Sequence, residues 1–225
     1  MGRGSLAGPV TVGAVMVLPG TPTAPTGVRD SKDLTPSQRE RLEPRIRQWA
    51  PAFGVGHASP VEIDTVGLMS ALRLAAVRAL LQLGRPVREI LLDGSHDWLS
   101  CGDSGMAEYA GSGPVRTRVK ADRDCASVAA ASVLAKVERD RIMADLAGQD
   151  DRYGWRSNKG YAAPGHLTAL AADGPSVLHR LSWQLPSVSV AALDILDPDH
   201  RRTWRRFADG EQLIMLEPVP EVRVL

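Results

Sequence analysis

The chain begins with the stretch MGRGSLAGPVTVGAVMVL, residues 1–18. Its second half, from Val10 to Leu18, is apolar on both faces of a pleat, which predicts a strand buried on two sides. Its first half contains Gly2, Gly4 and Gly8 and is typical of a glycine-rich functional loop. Such loops usually follow a strand, whereas this one comes before it. The stretch is therefore either an ordinary terminal segment or part of a functional site.

Helix and strand signals alternate along the following 170 or so residues. Thr35-Pro36 and Ser59-Pro60 each combine an N-cap residue with proline at the first helical position and a capping-box partner three residues after the cap. The remaining signals are helical periodicity over 64–83 and 127–146, a helix from Pro164 to near Gly174, and strands in AFGVGHAS and EILLDG. Strands mixed with helices of ten or more residues indicate a layered α/β domain.

Composition limits the class of protein. The 225 residues (24.2 kDa) fit one domain of ordinary to large size, and 44% hydrophobic residues provide a core. The formal net charge is +1, so nucleic-acid binding would need a local basic patch. Cys101 and Cys125 lie in no metal-ligand spacing and favour a reducing compartment. No apolar run approaches the roughly 20 residues of a membrane span, and we expect a cytoplasmic protein.

Two aspartates are candidate catalytic or metal-binding residues. Asp93 ends the strand of EILLDG and is followed by Gly94, which is where open α/β sheets place ligands, although Asp-Gly is also common turn chemistry. Asp122 lies in VKADRDCASVAAAS, before a helix whose small residues permit close backbone approach. Capping alone would explain an aspartate there. Lys120, Asp122 and the small-residue face together favour a site that holds divalent cations against a phosphodiester.

Three further segments are candidates for nucleic-acid contact. In DSKDL, Ser31 and Lys32 are suited to contact phosphate, and a solvated loop is the alternative. The segment YGWRSNKGYAAPGHL concentrates Tyr153, Trp155 and Tyr161 among basic residues, which is typical of nucleic-acid surfaces and also of a hydrophobic cluster beneath a loop. HRRTWRR, at 200–206, is either a phosphate-binding basic helix or a solvated face.

Taken in order, these segments resemble bacterial ribonuclease HII. The shared theme is Gly-Arg-Gly, Leu-Ala-Gly-Pro-Val, Asp-Ser-Lys, a strand ending Asp-Gly, a Lys-Gly-Asp segment leading into a small-residue helix, Lys-Gly-Tyr, and Gly-Pro-Ser-x-x-His-Arg. The resemblance covers about residues 1–185, and the ordered set is far more specific than any one motif. This chain supplies Gly2-Arg3-Gly4, Leu6 to Val10, Asp30-Ser31-Lys32, Asp93-Gly94, Lys120-Ala121-Asp122, Ser127 to Ser132, Ala135 to Asp140, Lys159-Gly160-Tyr161 and Gly174 to Arg180.

The resemblance implies an RNase H-like fold, with a mixed five-stranded sheet flanked by helices and a helical C-terminal region. It implies a monomeric endoribonuclease that uses Mg²⁺ or Mn²⁺ to cut the RNA strand of RNA–DNA hybrids, leaving 5′-phosphate and 3′-hydroxyl ends. Single ribonucleotides embedded in duplex DNA would also be substrates, which implies roles in ribonucleotide excision repair and DNA replication.

Site residues follow from the same resemblance. Asp93 and Asp122 would be two of four metal-binding carboxylates. The ribose 2′-hydroxyl at the RNA–DNA junction, which distinguishes RNA from DNA, would be read by one set of residues. Further substrate contacts would come from a second set. The first set is Gly2, Arg3, Gly4 and Tyr161, and the second is Ser31, Lys32 and Lys120.

The family's other two carboxylates are an Asp-Glu pair on a central strand, separated by one Ala or Val from Gly-Arg-Gly. In this sequence the Ala or Val position is Met1. One explanation is a start codon assigned inside Asp-Glu-Val-Gly-Arg-Gly, because a GUG valine codon can be read as an initiator. The alternatives are a truncated hybrid-binding remnant with little nuclease activity, and a non-enzymatic metal- or RNA-binding domain on the same scaffold. We expect a nuclease domain over residues 1–190 and a basic tail over 191–225.

Overall fold

The computed structural model describes residues 1–100, 113–186 and 188. All of them belong to the first compact unit of the chain, Met1–Val188. The loop expected over 101–114 falls almost entirely outside the described residues, as does the tail over 191–225. No helix in the described ranges has the length and apolarity needed to cross a bilayer.

Four strands form two pairs within the described residues. Strand β1, Val10–Met16, runs antiparallel to β2, Ala52–Ala58, with Val10 opposite Ala58 and Met16 opposite Ala52. Strand β3, Ile90–Asp93, runs parallel to β4, Val115–Arg118. The two strands predicted from AFGVGHAS and EILLDG are therefore confirmed. β4 was not predicted, because its sequence VRTR alternates arginine with smaller residues and carries little apolar signal.

The sheet differs in two respects from what the sequence implied. β3 is not buried, since its residues alternate between half-buried and exposed. The described strands also form two separate two-stranded sheets instead of one sheet of five. The strand that the resemblance places before Gly2 has no counterpart among the described residues. Because β4 is the one described strand hydrogen-bonded to β3, β3 keeps more solvent contact than a central strand would.

In the same part of the chain six α-helices accompany the strands, and the main predicted helices are confirmed. Thr35 and Ser59 each form a complete capping box, with Gln38 and Glu62 respectively. Thr35 Oγ1 accepts from the Gln38 N–H at 3.3 Å, and the Gln38 side chain accepts from the Thr35 N–H at 2.8 Å. The helices are α1 Pro36–Trp49, α2 Pro60–Leu81, α3 Ala121–Asp124, α4 Ala126–Gln149, α5 Trp155–Asn158 and α6 Pro164–Asp173.

The hydrophobic core lies on both faces of the β1–β2 pair. On one face α1 and α4 pack together, and their buried side chains include Ile46, Val133 and Leu134. On the other face α2 packs against both strands and buries Ile63 and Leu72 together with Val10. The prediction that β1 is covered on two sides is therefore confirmed.

Glycines on β2 allow α2 to approach the sheet closely. A Cβ atom added to Gly56 would lie far inside van der Waals contact with the Ala75 carbonyl oxygen of α2, and one added to Gly54 would do the same with Ala79. The obstructing atoms belong to helix backbone and cannot move aside as a flexible side chain would. The GVG sequence of β2 therefore sets the distance between this strand and α2.

We predict that Gly56→Ala destabilises the protein by about 3 kcal/mol, because overpacking against a rigid backbone forces α2 away from the sheet. Urea unfolding followed by circular dichroism measures the change. Gly165→Ala is the matched control, because nothing lies within 4 Å of the added Cβ on that exposed helical glycine. The control should change stability by less than about 1 kcal/mol. Equal effects at both positions would contradict the close-approach account.

Candidate functional site

An open cleft brings four of the predicted site residues together. It lies where β3 ends, beside the short helix α3 and a 3-10 helix over Ser31–Asp33. Predicted residues and further polar residues share its walls. The lining residues are Asp30, Lys32, Asp33, Asp93, Gly94, Lys120, Asp122 and Arg123.

Asp93 is fixed at the end of β3 by two backbone contacts. Its Oδ1 accepts a hydrogen bond from the Ala121 N–H at 2.9 Å. The next residue, Gly94, has φ of +113° and donates its N–H to the Arg118 carbonyl at 2.9 Å. Asp93 therefore forms part of an Asp-Gly turn and also lies at the strand end where ligands bind in open α/β sheets. Its carboxylate joins the end of β3 to the start of α3.

The two aspartates of α3 point in different directions. Lys120 precedes the helix in a left-handed conformation, with φ of +59°. In the single turn that follows, Asp122 is buried and lines the cleft. Asp124 is exposed and pairs with Arg118, with an N–O distance of 2.7 Å. The sequence offers both carboxylates at one helix start, and the fold brings only Asp122 to the cleft.

Negative charge accumulates around Asp122. Burial raises the pKa of its carboxyl group, and the neighbouring charges of Asp30 and Asp93 raise it further. Lys32 opposes the increase, and its Nζ lies 3.8 Å from both Asp122 Oδ2 and Asp30 Oδ2. Asp122 therefore lies in a cleft lined by three further aspartates, and the exposed Lys32 ammonium group lies near two of the four carboxylates. A cation bound there would relieve their repulsion.

Sequence reasoning missed Asp30. Its carboxylate is buried and caps the 3-10 helix, because Oδ1 accepts from the Lys32 N–H at 3.0 Å. The available signal was an aspartate two residues before Lys32, which is the usual spacing for a side chain that caps a turn. Asp30 therefore both caps the 3-10 helix and lines the cleft.

Ser31 and Lys32 are adjacent in sequence and have opposite environments. Ser31 is fully buried, and its N–H donates to Ser132 Oγ of α4 at 3.1 Å. Its own hydroxyl has no hydrogen-bond partner among the described residues. Arg39 of α1 donates to the Ser31 carbonyl at 2.9 Å and to the Leu34 carbonyl at 2.6 Å, which holds the segment. The Lys32 side chain, by contrast, is 73% exposed over the cleft.

The carboxylates of the cleft suit a hard cation such as Mg²⁺ or Mn²⁺, which prefers oxygen ligands. Within the described part of the chain, however, no three His, Cys, Asp or Glu side chains form a group that could hold a metal ion. Asp93 and Asp122 are the two residues that the resemblance assigns to a set of four carboxylates, and both line this cleft. The residues present therefore fit part of a two-metal site.

The Gly2-Arg3-Gly4 segment forms a tight loop, here called the glycine loop, against a buried arginine. Gly2 is buried with φ of +75°, and a Cβ there would collide with Arg139 Nε. The Gly2 carbonyl accepts from Ser5 Oγ at 3.0 Å and from Arg180 Nη2 at 2.6 Å. Arg3 and Gly4 are exposed. Glycine at position 2 is therefore required by both the backbone conformation and the available space.

Two fully buried arginines bind the backbone of this loop on its protein-facing side. Arg139 of α4 donates to the carbonyls of Pro9, Ala7 and Lys159. Arg180 donates to the carbonyls of Gly2, Arg3 and Gly8. Both also donate to the hydroxyl of Ser5, at 2.8 and 3.0 Å. Burial lowers the pKa of both guanidinium groups, that of Arg180 to about 10, and leaves them charged at neutral pH.

Tyr161 lies beside the glycine loop. The Gly160 carbonyl accepts from the Leu6 N–H at 2.8 Å, and the Arg139 guanidinium lies 5.6 Å from the Tyr161 ring centroid. The Tyr161 side chain is exposed, whereas Tyr153 and Trp155 are buried and stacked with their ring centroids 5.0 Å apart. The aromatic segment is thus a packed cluster that presents one tyrosine to solvent next to Gly2-Arg3-Gly4.

Comparisons with known proteins agree on one family. The sequence profile of ribonuclease HII matches residues 1–186. Curated relatives named Ribonuclease HII include those of Streptomyces coelicolor, at 48% identity, and Streptomyces avermitilis, at 44%, and each alignment covers 99% of this chain and 84% of the relative.

Solved structures confirm the RNase H-like fold. The chain is similar to RNase HII in the PCNA:RNase HII complex from Archaeoglobus fulgidus, with a TM-score of 0.64 and 27% identity over 88% of this chain and 96% of that one. Bst-RNase HIII in complex with Mn²⁺ shares the fold at a TM-score of 0.63 and 24% identity, covering 87% of this chain and 67% of that one.

We predict that Asp30→Asn lowers the pKa of Asp122, because one of the neighbouring negative charges is removed while asparagine still caps the 3-10 helix. The measurement is a carboxyl ¹³C NMR titration in metal-free buffer. Asp124→Asn is the matched control, because that carboxylate pairs with Arg118 outside the cleft. An unchanged Asp122 titration in the Asp30 variant would mean that Asp30 exerts no electrostatic effect on the cleft.

Proposed function

Because the chain belongs to the ribonuclease HII family, we propose that it cuts the RNA strand of RNA–DNA hybrids, including at single ribonucleotides embedded in duplex DNA. The observation that carries this proposal is the cleft in which Asp93, Asp122, Lys32 and Lys120 lie together. Carboxylates that hold a divalent metal and cationic groups that contact phosphate are components suited to metal-dependent hydrolysis of a phosphodiester.

Asp93 and Asp122 would hold the metal in this cleft. Bound Mg²⁺ or Mn²⁺ supplies activation of water and stabilisation of charge on the phosphate in two-metal nucleases. The contribution of the protein is to fix the ligands beforehand. Asp93 is restrained by the Ala121 N–H, and Asp122 lies in a buried position on a helix of one turn. Ligands restrained in this way need little reorganisation when the substrate binds.

The basic residues of the cleft would orient the nucleic-acid backbone. Lys32 is exposed beside Asp122, and Lys120 and Arg123 line the same cleft. Contacts with phosphate determine the register of a protein on a duplex without reading its sequence. Ser31 contributes indirectly, since its buried backbone is attached to α4 and α1 while Lys32 extends outward.

The glycine loop and Tyr161 would recognise the ribose at the RNA–DNA junction. The loop exposes Arg3 and Gly4. Tyr161 is exposed next to the loop, and its ring lies near the guanidinium group of Arg139, which also supports the loop. A backbone without side chains can approach a sugar closely, and a neighbouring aromatic ring can stack on it or donate a hydrogen bond. Cutting then depends on a 2′-hydroxyl at this position.

A second function is hybrid binding with weak or no cleavage. The observation that favours it is that no group of three metal-binding side chains occurs among the described residues. The two functions share the same binding surfaces and differ in whether two more carboxylates complete the metal site. The experiment that separates them adds the family's Asp-Glu pair and the strand that carries it upstream of Gly2.

We predict negligible cleavage of a hybrid duplex by the 225-residue chain and robust Mg²⁺-dependent cleavage by the extended chain, because two ions need the additional carboxylates. In the extended chain, Asp93→Asn and Asp122→Asn should lower kcat by at least about 100-fold with little change in affinity, because the metals act on charge that develops in the transition state. The measurement is single-turnover cleavage of a labelled duplex.

Asp124→Asn is the control for these substitutions, since Asp124 pairs with Arg118 at the surface, and it should be mild. Rapid cleavage by the 225-residue chain would show that the active site has been misassigned. An equally severe loss at Asp124 would mean that the wrong aspartate of α3 has been assigned to the metal site.

We predict that Tyr161→Ala in the extended chain reduces cleavage at a single embedded ribonucleotide much more than it weakens binding to an all-DNA duplex of the same sequence. The physical reason is that the tyrosine contacts the ribose, which the all-DNA duplex lacks. Tyr161→Phe separates stacking from hydrogen bonding, since it removes only the hydroxyl. If Tyr161→Ala weakens binding to both duplexes equally, Tyr161 has no role in recognising the junction.

A further inference from the structure

A chain of hydrogen bonds runs through two buried histidines beneath Tyr161. His179 Nε2 lies 3.0 Å from His166 Nε2, and His166 Nδ1 lies 2.9 Å from the Tyr161 carbonyl oxygen. Both rings are fully buried beside Tyr153 and Trp155. The two histidines are far from the carboxylates in sequence, and the proposed chemistry does not use them.

The protons on His179 are fixed by Ser176. The Ser176 N–H lies 2.9 Å from His179 Nδ1. A backbone N–H can only donate, so Nδ1 must be the acceptor and carries no proton. In the neutral ring the proton is then on Nε2, which faces His166.

The same reasoning fixes His166. His166 Nε2 faces two N–H donors, the Nε2–H of His179 at 3.0 Å and the Nε1–H of Trp155 at 3.4 Å, so it accepts hydrogen bonds and carries no proton. The proton of His166 is therefore on Nδ1, opposite the Tyr161 carbonyl, which can only accept. Every donor in this hydrogen-bond relay meets an acceptor, and one arrangement of protons satisfies all of these contacts. The order is Ser176 to His179 to His166 to Tyr161.

Burial supports the neutral state of both rings. It lowers the pKa of His166 and lowers that of His179 to about 4, with a further decrease at His179 from His166 itself. The negative charge of Asp150 opposes the decrease in the pKa of His179. The ring of Tyr153 contacts both histidine rings. Both histidines therefore stay uncharged near neutral pH, and the proton arrangement is maintained.

The chain of hydrogen bonds also reaches the glycine loop. His179 forms a β-bridge with Ala7, the Gly8 N–H donates to the Leu178 carbonyl, and the Arg180 N–H donates to the Leu6 carbonyl. One end of the relay is thus attached to the loop that carries Gly2-Arg3-Gly4. The other end is attached to the backbone of Tyr161, whose carbonyl also accepts from the Ala163 N–H at 2.8 Å.

We propose that His166 and His179 are positioning residues for junction recognition: their directional hydrogen-bond relay holds the Tyr161 backbone at a fixed place relative to the glycine loop. This inference rests on the proposed role of Tyr161 at the ribose. The relay transmits no proton to the substrate and touches no reacting atom. Its effect is on selectivity between ribonucleotide-containing and all-DNA duplexes.

The first test is spectroscopic and independent of substrate. Ring ¹⁵N shifts of the full 225-residue chain at pH 7 should place the proton of His166 on Nδ1 and that of His179 on Nε2. Free histidine prefers the Nε2–H form, so the His166 tautomer is the diagnostic one. Observation of His166 protonated on Nε2, or of either ring doubly protonated at pH 7, would overturn the relay.

The second test measures selectivity by binding, so that it does not depend on metal or cleavage. The readout is the ratio of Kd values for an all-DNA duplex and the same duplex with one ribonucleotide, from fluorescence anisotropy. His166→Leu removes the donor to Tyr161 and should reduce this ratio about tenfold, or to near one, since small misplacements of a positioning group are costly. His166→Asn keeps an N–H near the Nδ1 position and should restore most of the ratio.

Leu170→Ala is the matched control, because Leu170 is buried on the same helix as His166 and takes no part in the relay. It should destabilise the protein while leaving the Kd ratio unchanged. If Leu170→Ala reduces the ratio as much as His166→Leu does, or if His166→Asn restores nothing, the histidines are ordinary core residues. If the wild-type chain does not distinguish the two duplexes, the junction role of Tyr161 fails, while the ¹⁵N tautomers still show whether the relay exists.

Discussion

The structure depends on two buried guanidinium groups that bind backbone carbonyls. Transfer of a charged group from water to a protein interior costs several kcal/mol, and hydrogen bonds to good acceptors offset that cost. Arg139 and the two terminal nitrogens of Arg180 find acceptors on residues 2–9 and on Lys159, and the hydroxyl of Ser5 accepts from both arginines. Arg180 Nε has no hydrogen-bond partner among the described residues. The glycine loop must curve around these charges to present its carbonyls to them. A positive φ at Gly2 is part of that curvature.

Helix α4 connects this arrangement to the cleft. Ser132 accepts from the backbone of Ser31, and Asp140 forms an ion pair with Arg39, which holds the carbonyls of Ser31 and Leu34. Arg139, the neighbour of Asp140 on the same helix, supports the glycine loop, and its guanidinium group lies 5.6 Å from the Tyr161 ring centroid. A single helix thus carries the supports for the carboxylate cleft and for the exposed tyrosine. Rigid elements position functional groups more accurately than loops do, which explains why these loops rest on α4.

Charge balance differs between the two regions. Four aspartates line the cleft together with Lys32, Lys120 and Arg123. Burial and the neighbouring charges of Asp30 and Asp93 raise the pKa of Asp122. The glycine loop lies over two buried positive charges whose acceptors are uncharged oxygens. The cleft therefore favours a bound cation, and the glycine loop favours a bound anion. A phosphodiester backbone with divalent ions meets both requirements, which agrees with the activity proposed for this chain.

Local sequence determined the parts of this protein that depend on neighbouring residues. Both capping boxes, the start of β1, the end of β3 at the Asp-Gly pair and the helical repeats were predictable, because caps, turns and periodicity are encoded within a few residues. The predicted end of β1 at Leu18 was wrong, since the strand ends at Met16. The tertiary structure decided what depends on distant contacts. It turned Asp122 into the cleft and Asp124 outward, brought Asp30 into the cleft, paired the polar strand β4 with β3, and buried His166, His179, Arg139 and Arg180. These outcomes come from hydrogen bonds between residues up to 178 positions apart, and no local pattern records them.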